Sequence, residues 1–218
     1  MSRNRVIAYV DGYNIYHGIV DLLKDPYGNP NPKLNYLKWV NLRSLIQAFT
    51  LKNREELVKI YYFSAYATWK PKAYARHRDY VAALKSTGIT VVLGAFKEKR
   101  QMCKACKIQY ISHEEKESDV NLALKLQHDA LSNSFDQAII VTGDSDLKPA
   151  VKAVKECNPN LIITALIPSS RFFASNDLKS VCDSASKFGI KHLEKSLFPE
   201  IITTTEGQTI IRPEKYKP

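Results

Sequence analysis

Acidic residues stand at three points of this sequence where they could act together. Asp11 directly follows an apolar run, and Asp144 and Asp146 shortly follow another. Asp119 lies at the start of a predicted helix that leads into the second run. In a right-handed crossover such a helix runs antiparallel to the strands, so its N-terminus belongs to the edge where the strands end. We therefore expect these four carboxylates to lie within a few ångströms of one another.

Carboxylates gathered in this way repel one another, which raises their pKa values and costs stability. A hard divalent cation with oxygen ligands reverses that cost. Because no histidine or thiolate belongs to the group, Mg²⁺ or Mn²⁺ is favoured over Zn²⁺. Each acid also has a simpler explanation: Asp11 in a turn, Asp146 as a helix cap, and Asp119 as a favourable charge at a helix N-terminus. Only their joint placement favours a metal pocket.

The elements that must position these acids follow from the apolar pattern. Strands are predicted over 5–10, 57–65, 89–96, 137–141 and 161–167, with a weak one over 188–193. Helices are predicted over 37–49, 72–85, 118–131, 147–156 and 177–185. Strands that alternate with helices and are continuously apolar indicate a parallel sheet covered on both faces. Ligands of such sheets bind at the carboxyl ends of the strands, which is where the acids are predicted to lie.

Composition narrows the class of protein. Of 218 residues, 44% are hydrophobic and 25% charged, which excludes a disordered, collagen-like or coiled-coil chain. The 32 Lys and Arg against 22 Asp and Glu give a net charge of +10. That excess favours a polyanionic partner such as nucleic acid, although a merely basic protein has the same balance. No apolar run suits a signal peptide or a membrane span, so we predict a cytoplasmic protein without a membrane partner.

Three segments resemble the signature motifs of the NYN domain, the LabA-like branch of the PIN-like nuclease superfamily. They are VDGYNI over 10–15, EKESDVN over 115–121 and VTGDSDL over 141–147. The resemblance spans about residues 5–195. It implies an α/β fold, a Rossmann-like three-layer α/β/α sandwich with a mainly parallel central sheet, and metal-dependent hydrolysis of RNA.

The same resemblance implies roles for five residues. Asp11, Asp119 and Asp144 match the family's metal-binding acids, and Asp146 is the expected fourth ligand. Asn14 matches an asparagine beside the first acid, where an amide could orient a water molecule or a phosphate oxygen. All five are therefore predicted catalytic residues, and the four acids are predicted ligands of Mg²⁺ or Mn²⁺. The second motif also places Lys116 and Glu117 near the site.

A basic insertion at about 97–112 contains two cysteines. Cys103 and Cys106 have the spacing of half a zinc site, and His113 is a candidate third ligand. A structural Zn²⁺ ion is one interpretation, and a reduced, metal-free loop is the other. A homodimer could complete such a site or lengthen the track for RNA.

The insertion could also form a basic flap above the acidic pocket that grips an RNA backbone. The residues predicted to contact RNA are Lys97, Lys99, Arg100, Lys104, Lys107, Lys116 and Arg171. A solvated loop would have a similar composition. A second basic cluster, over 66–80, is interleaved with aromatic residues that could stack on unpaired bases. Trp69 and Tyr80 in that cluster could instead be core residues.

Together these features predict a metal-dependent ribonuclease, specifically an endoribonuclease. Metal-activated water would hydrolyse the phosphodiester at the acidic pocket and leave a 5′-phosphate. Residues 1–198 are predicted to form the nuclease domain, and residues 199–218 a loose polar tail. Two alternatives remain open at this point. One is an RNA-binding or regulatory module with little or no turnover, and the other is a phosphohydrolase of small substrates, which the basic surface disfavours.

Overall fold

A parallel sheet of six strands forms the centre of the computed structural model, which describes residues 3–204 and 206–218. The strands of this chain are β1 (Asn4–Asp11), β2 (Glu55–Ser64), β3 (Thr90–Leu93), β4 (Ala95–Met102), β5 (Gln109–Lys116), β6 (Gln137–Val141), β7 (Ile162–Pro168), β8 (Ser184–Phe188), β9 (Ile201–Thr203) and β10 (Thr209–Ile211). The helices are α1 (Gly12–Leu22), α2 (Leu42–Gln47), α3 (Pro71–Ser86), α4 (Ser118–Leu131), α5 (Lys148–Cys157), α6 (Asn176–Lys179) and α7 (Ile190–Glu194). Short 3₁₀ turns cover Pro32–Lys38, Ser145–Leu147 and Glu214–Tyr216.

The order of the central sheet is β3-β2-β1-β6-β7-β8. The chain builds outward from β1 to β3 and then returns to place β6 on the other side of β1. The strand order therefore reverses between β1 and β6, and their carboxyl ends flank the crevice where such sheets bind ligands.

Helices cover both faces of the sheet because its central strands are apolar on both sides. Val6, Ala8 and Val10 of β1 join a core shared with α1, α2 and α3. Ile7 and Tyr9 of the same strand join a second core shared with α4 and α5. This is a three-layer α/β/α arrangement, so the predicted fold class is confirmed.

Two of the predicted elements are shorter than their apolar pattern, for local reasons. The helix predicted over 37–49 is divided into a 3₁₀ turn and α2, because the side chain of Asn41 caps a new helix by accepting a hydrogen bond from the amide of Ser44. The helix predicted over 177–185 is only the single turn α6.

The end of the sheet also differs from its prediction. The weak strand predicted over 188–193 is the helix α7, and the edge strand β8 precedes it, paired in parallel with β7. An edge strand needs apolar residues on one face at most, so the sequence SASKF of β8 carries little strand signal.

The third predicted strand and the basic insertion form a different structure from the one expected. Strand β3 ends before Gly94, and β4 and β5 form a separate antiparallel hairpin. A Cβ atom on Gly94 would lie 2.5 Å from the carbonyl oxygen of Lys116, so only glycine allows the two ends of the hairpin to approach so closely. The expected loop is thus a two-stranded ribbon.

The C-terminal segment is not the loose tail that its polarity predicts. Strands β9 and β10 pair, and Ile210 and Tyr216 are buried in the core on the α1 side of the sheet. The guanidinium of Arg212 donates a 2.8 Å hydrogen bond to the carbonyl of Phe198. Two apolar anchors therefore order a segment whose average composition is polar.

The described residues include no helix both long and apolar enough to cross a membrane.

Candidate active site

Asp11 ends β1 and is buried at the carboxyl edge of the sheet. One of its oxygens accepts a hydrogen bond from the amide of Asn14 at 3.0 Å, and the other accepts one from the hydroxyl of Thr142 at 2.8 Å. Burial raises the pKa of Asp11 to about 7, against the effect of these two hydrogen bonds. The negative charges of Asp119 and Glu115 raise that pKa further.

Hydrogen bonds hold the segment after β6 against the segment after β1. The amide of Gly143 donates to the side-chain oxygen of Asn14 at 2.9 Å, and the amide of Asp144 donates to the hydroxyl of Thr142 at 3.1 Å. A side-chain oxygen of Asp144 in turn accepts from the amide of Asp146 at 2.9 Å. The first and third motifs therefore form one hydrogen-bonded unit, in which Asp144, rather than Asp146, caps the following turn.

Asp119 lies exposed in the first turn of α4. Partial burial of its carboxyl group raises the pKa of Asp119, and the charges of Asp144 and Asp146 raise it further. The structure thus brings the four predicted acids into one electrostatic neighbourhood. Their catalytic and metal-binding roles stay predictions.

Glu115 belongs to this neighbourhood too, although sequence reasoning assigned it no role. Its carboxylate accepts a hydrogen bond from the hydroxyl of Ser118, and burial followed by the charge of Asp119 raises its pKa. Its neighbour Lys116 instead forms an ion pair with Glu114 at 3.1 Å, and Glu117 is exposed with a left-handed φ of 78°. The sequence could have identified Glu115 by the alternation of residues along β5, because every second residue of a strand points to the same face.

The acids gathered at this edge offer oxygen atoms to a metal ion. Mg²⁺ is usually held by one or two carboxylates while it keeps several waters and binds substrate phosphates. The donor set fits such a hydrated cation. Within the described ranges, however, no group of three His, Cys, Asp or Glu side chains is arranged to hold a metal. The expected convergence of three or four carboxylates on one point is therefore not found there.

The cysteine pair lies at the turn of the β4–β5 hairpin, away from its predicted third ligand. Hydrogen bonds from the backbone and side chain of Cys106 lower the pKa of Cys103. His113 pairs with Glu98, five residues before Cys103 along β4, which corresponds to about 16 Å. His113 also stacks on Trp69 with ring centroids 3.7 Å apart. His113 is therefore not a third zinc ligand beside the two thiols. Only the two cysteines of the predicted zinc site remain.

The cations predicted to contact RNA have different surroundings. Four are exposed on the hairpin: Lys97, Arg100, Lys104 and Lys107. Lys99 and Lys116 both pair with Glu114. Arg171 lies near the carboxyl edge as expected but forms a 3.2 Å ion pair with Asp21. The hairpin itself thus presents most of the accessible positive charge of this set.

A cavity of about 360 Å³ opens beside the acidic edge. Gly12 and Ser64, next to the ends of β1 and β2, form one end of its lining. Sequence reasoning did not identify this cavity, although the basic and aromatic cluster over 66–80 supplies part of its wall. Trp69 is one of its lining residues.

Comparison with known proteins supports the motif analysis. The family model of the NYN domain matches residues 5–190. A curated relative, the 6-hydroxy-3-succinoylpyridine 3-monooxygenase HspA of Pseudomonas putida, is 28% identical over 200 residues, an alignment that covers 76% of this chain. The chain spans about 60% of that relative's length.

A solved structure shares the fold of this chain. It is a protein of unknown function from Vibrio parahaemolyticus, with a TM-score of 0.58 and 18% identity, and the match covers 90% of this chain and 97% of that one. The resemblance inferred from the three motifs is confirmed by the family match, which includes all of them. The chain belongs to the NYN domain family.

Proposed function

We propose that this protein is a metal-dependent ribonuclease that hydrolyses internal phosphodiester bonds of RNA. The observation that carries the proposal is the acidic neighbourhood at the reversal point of the sheet. Burial raises the pKa values of Asp11 and Asp119 there, and the charges of neighbouring acids raise both further. Such crowding costs stability in the free protein and suits a site that receives positive charge.

The residues of the site would have different roles according to how deeply each one is buried. Asp11 is fixed by two hydrogen bonds and would anchor the site, whereas Asp119 and Asp146 are exposed and would hold a cation on the side open to substrate. The side-chain oxygen of Asn14 is held by Gly143, so its NH₂ group is the part that could orient a phosphate oxygen. Bound Mg²⁺ or Mn²⁺ would offset the carboxylate charge, lower the pKa of water and stabilise the departing 3′ oxygen.

The positive charge of the molecule supports RNA over a small phosphate ester. The net charge is +10 although the candidate site itself is acidic. The exposed cations of the hairpin follow directly from β3, whose carboxyl end lies at the same edge as the acids. An extended polyanion can contact both regions, whereas a small ester needs only one.

A second candidate function rests on the cavity beside the acids. The Pseudomonas relative is named for an oxygenase reaction on a pyridine that carries a succinoyl group. The cavity of this chain is lined by aromatic rings and by the cations Lys38, Lys70 and Arg76. A lining of this kind could also hold a small aromatic acid, so the substrate of the second candidate would be such a compound.

Cleavage of labelled single-stranded RNA tests the leading proposal. The purified chain is incubated with Mg²⁺, Mn²⁺ or EDTA, beside the variant Asp144→Asn and the control Glu56→Gln, which removes an exposed carboxylate of β2 near its opposite, amino end. We expect metal-dependent cleavage that Asp144→Asn reduces by about 100-fold or more and that Glu56→Gln leaves unchanged. Cleavage that persists in EDTA would contradict the proposal. Equal RNA binding by all three proteins without cleavage would favour the binding module.

A further inference from the structure

The cavity beside the acids connects two chemically different regions. Its volume of about 360 Å³ lies in the range of small-molecule sites. Gly12 and Ser64 line it near the end of β1, whereas Lys38, Arg76 and Tyr216 line it near the C-terminal turn. An occupant could therefore contact both regions at once.

Aromatic rings form the wall between these regions. The ring of Trp69 meets that of Phe96 edge-on, with centroids 4.7 Å apart. Tyr13 meets the other side of this group, 6.4 Å from Phe96. Tyr13 and Tyr16 also line the cavity and keep 49% and 45% of their surface exposed. Accessible rings interleaved with cations are typical of surfaces that stack unpaired bases.

The C-terminal region of the cavity is positively charged, and in the described part of the chain Lys38, Arg76 and Lys215 form no ion pair there. Burial lowers the pKa of Lys38, and the charges of Lys215 and Arg76 lower it further, so three cations are clustered there. The Nε atom of Arg76 is buried and has no hydrogen-bond partner in the part of the chain that the structure describes. A buried donor without a partner is costly, and an anionic group at this point would satisfy it.

We propose that this cavity seats one unstacked nucleotide of a single-stranded RNA, with its base along the aromatic wall and a phosphate at Lys38 and Arg76. The inference rests on the proposed function and deepens it, because it names the part of the substrate that the site recognises. The strand would continue from the seated nucleotide past Gly12 to the acids. The nucleotide bound in the cavity, which we call the seat, would therefore determine which phosphodiester bond lies at the acids.

A neutral histidine on the same wall could read the base. Burial lowers the pKa of His77 to about 4, so its imidazole is uncharged at neutral pH. A neutral imidazole has one nitrogen that donates and one that accepts a hydrogen bond. Bases present donors and acceptors on their edges, so this side chain can favour one base over another.

Intrinsic fluorescence can measure occupancy of the cavity directly. The chain has two tryptophans: Trp39 is fully buried in the core, and Trp69 lines the cavity. The full chain is titrated in EDTA with AMP, GMP, CMP and UMP, and in parallel with ribose 5-phosphate and nicotinate. We expect the nucleotides to quench the emission and ribose 5-phosphate to bind at least about tenfold more weakly, because it lacks a base to stack.

Matched substitutions on α3 locate the binding. Arg76→Gln should weaken nucleotide binding by about tenfold or more, as expected for the loss of a hydrogen bond from a charged group. Arg78→Gln removes the same charge from an exposed position two residues along the helix, outside the lining, and should leave binding unchanged. Tyr16→Ala, at an exposed position of the wall, should also weaken binding and gives a second test if Arg76→Gln does not fold.

Several results would overturn the proposal. These are an absence of nucleotide binding, equal binding of ribose 5-phosphate, equal loss in Arg76→Gln and Arg78→Gln, and nicotinate binding as tight as that of the nucleotides. The last result would assign the cavity to a small aromatic acid. Because the titration contains no metal, it is independent of cleavage. RNA cleavage without nucleotide binding would refute the seat alone, and nucleotide binding without cleavage would refute the ribonuclease alone.

Discussion

The fold places the carboxyl group of Asp11 where its ionised form is disfavoured. Its two hydrogen bonds stabilise the ionised carboxylate, whereas its burial and the neighbouring acids destabilise it, and the second effect is larger. The raised pKa is therefore a statement about stability as well as chemistry. Folding keeps this carboxyl group where ionisation is unfavourable in the absence of a cation.

Replacing Asp11 should change how stability depends on pH. Between the ordinary pKa of 3.8 and the folded value of about 7, the folded state binds more protons than the unfolded state. The free energy of unfolding contributed by this group therefore falls as pH rises through that window. Urea titrations in EDTA should show Asp11→Asn gaining about 1–3 kcal/mol relative to the wild type between pH 5 and pH 8.

A carboxylate with the opposite shift supplies the control. Hydrogen bonds from Arg5 lower the pKa of Asp136, so its stabilising effect is fully present above the ordinary pKa and is lost only as pH falls below it. Asp136→Asn should therefore reduce stability by the same amount at pH 5 and pH 8. Parallel pH curves for the wild type and Asp11→Asn would contradict the assignment of the raised pKa to Asp11.

Gly12 is required by close approach rather than by backbone conformation. A Cβ atom there would lie 2.5 Å from Cζ of Tyr62 and 2.7 Å from the carbonyl oxygen of Phe63. We expect Gly12→Ala to lower the free energy of unfolding by about 1–3 kcal/mol, as overpacking does, and to reduce RNA cleavage. Gly189→Ala, where the nearest contact would be an ordinary 3.4 Å, should change stability by about 0.5 kcal/mol or less. Equal stability of both variants in thermal unfolding would refute this explanation.

At the scale of elements, the β4–β5 hairpin forms a two-stranded sheet separate from the central one. Gly94 connects it to β3 at one end, and at the other end Glu115 accepts a hydrogen bond from Ser118 of α4, beside the acids. The stack of His113 on Trp69 fixes its base against the wall of the cavity. The hairpin thus links its exposed cations to both the acidic edge and the aromatic cavity.

If these cations contact the RNA backbone, removing two of them should weaken the salt dependence of binding. For the double variant Arg100→Ser/Lys104→Ser, the slope of log affinity against log salt concentration should decrease by about 1.4 for single-stranded RNA. The double variant Lys52→Ser/Arg54→Ser removes the same charge from an exposed loop at the opposite edge of the sheet. Binding titrations at several salt concentrations compare the two. Equal slopes in both variants would mean that the hairpin is no part of the RNA interface.

At the scale of the whole molecule, the C-terminal segment closes the core that the N-terminal half begins. The indole nitrogen of Trp39 donates a 3.0 Å hydrogen bond to the carbonyl of Pro199, and Phe198 packs against the same ring. Ile210 joins the core, and Tyr216 lines the cavity. Residues far apart in the chain therefore stabilise the same core and help to line the same cavity.

Neighbouring isoleucines of β10 test this closure. Ile210 is 8% exposed and Ile211 is 58% exposed. We expect Ile210→Ala to lower the free energy of unfolding by about 2 kcal/mol, because it removes buried methyl groups and leaves a void. Ile211→Ala should change it by about 0.5 kcal/mol or less. If urea unfolding gives the same small effect for both, the segment does not contribute to the core.

The sequence alone predicted the parallel sheet, the boundaries of α4 and β6, and the family, because each depends on local signals. Continuous apolar runs indicate buried strands, and the three motifs keep fixed residue types at fixed spacing. The placement of Asp11 and Asp144 at one edge followed from the rule that strand ends of a parallel sheet meet there.

Tertiary structure decided what depends on contacts between distant segments. The burial that raises the pKa of Asp11 and the clamp between Asn14 and Gly143 cannot be derived from spacing. The separation of His113 from the cysteines depends on the register of the hairpin, which the sequence does not show. The ordered C-terminal segment and the cavity that it helps to line exist because a few apolar side chains find partners far away along the chain. Long-range packing, which has no local signature, determined these features.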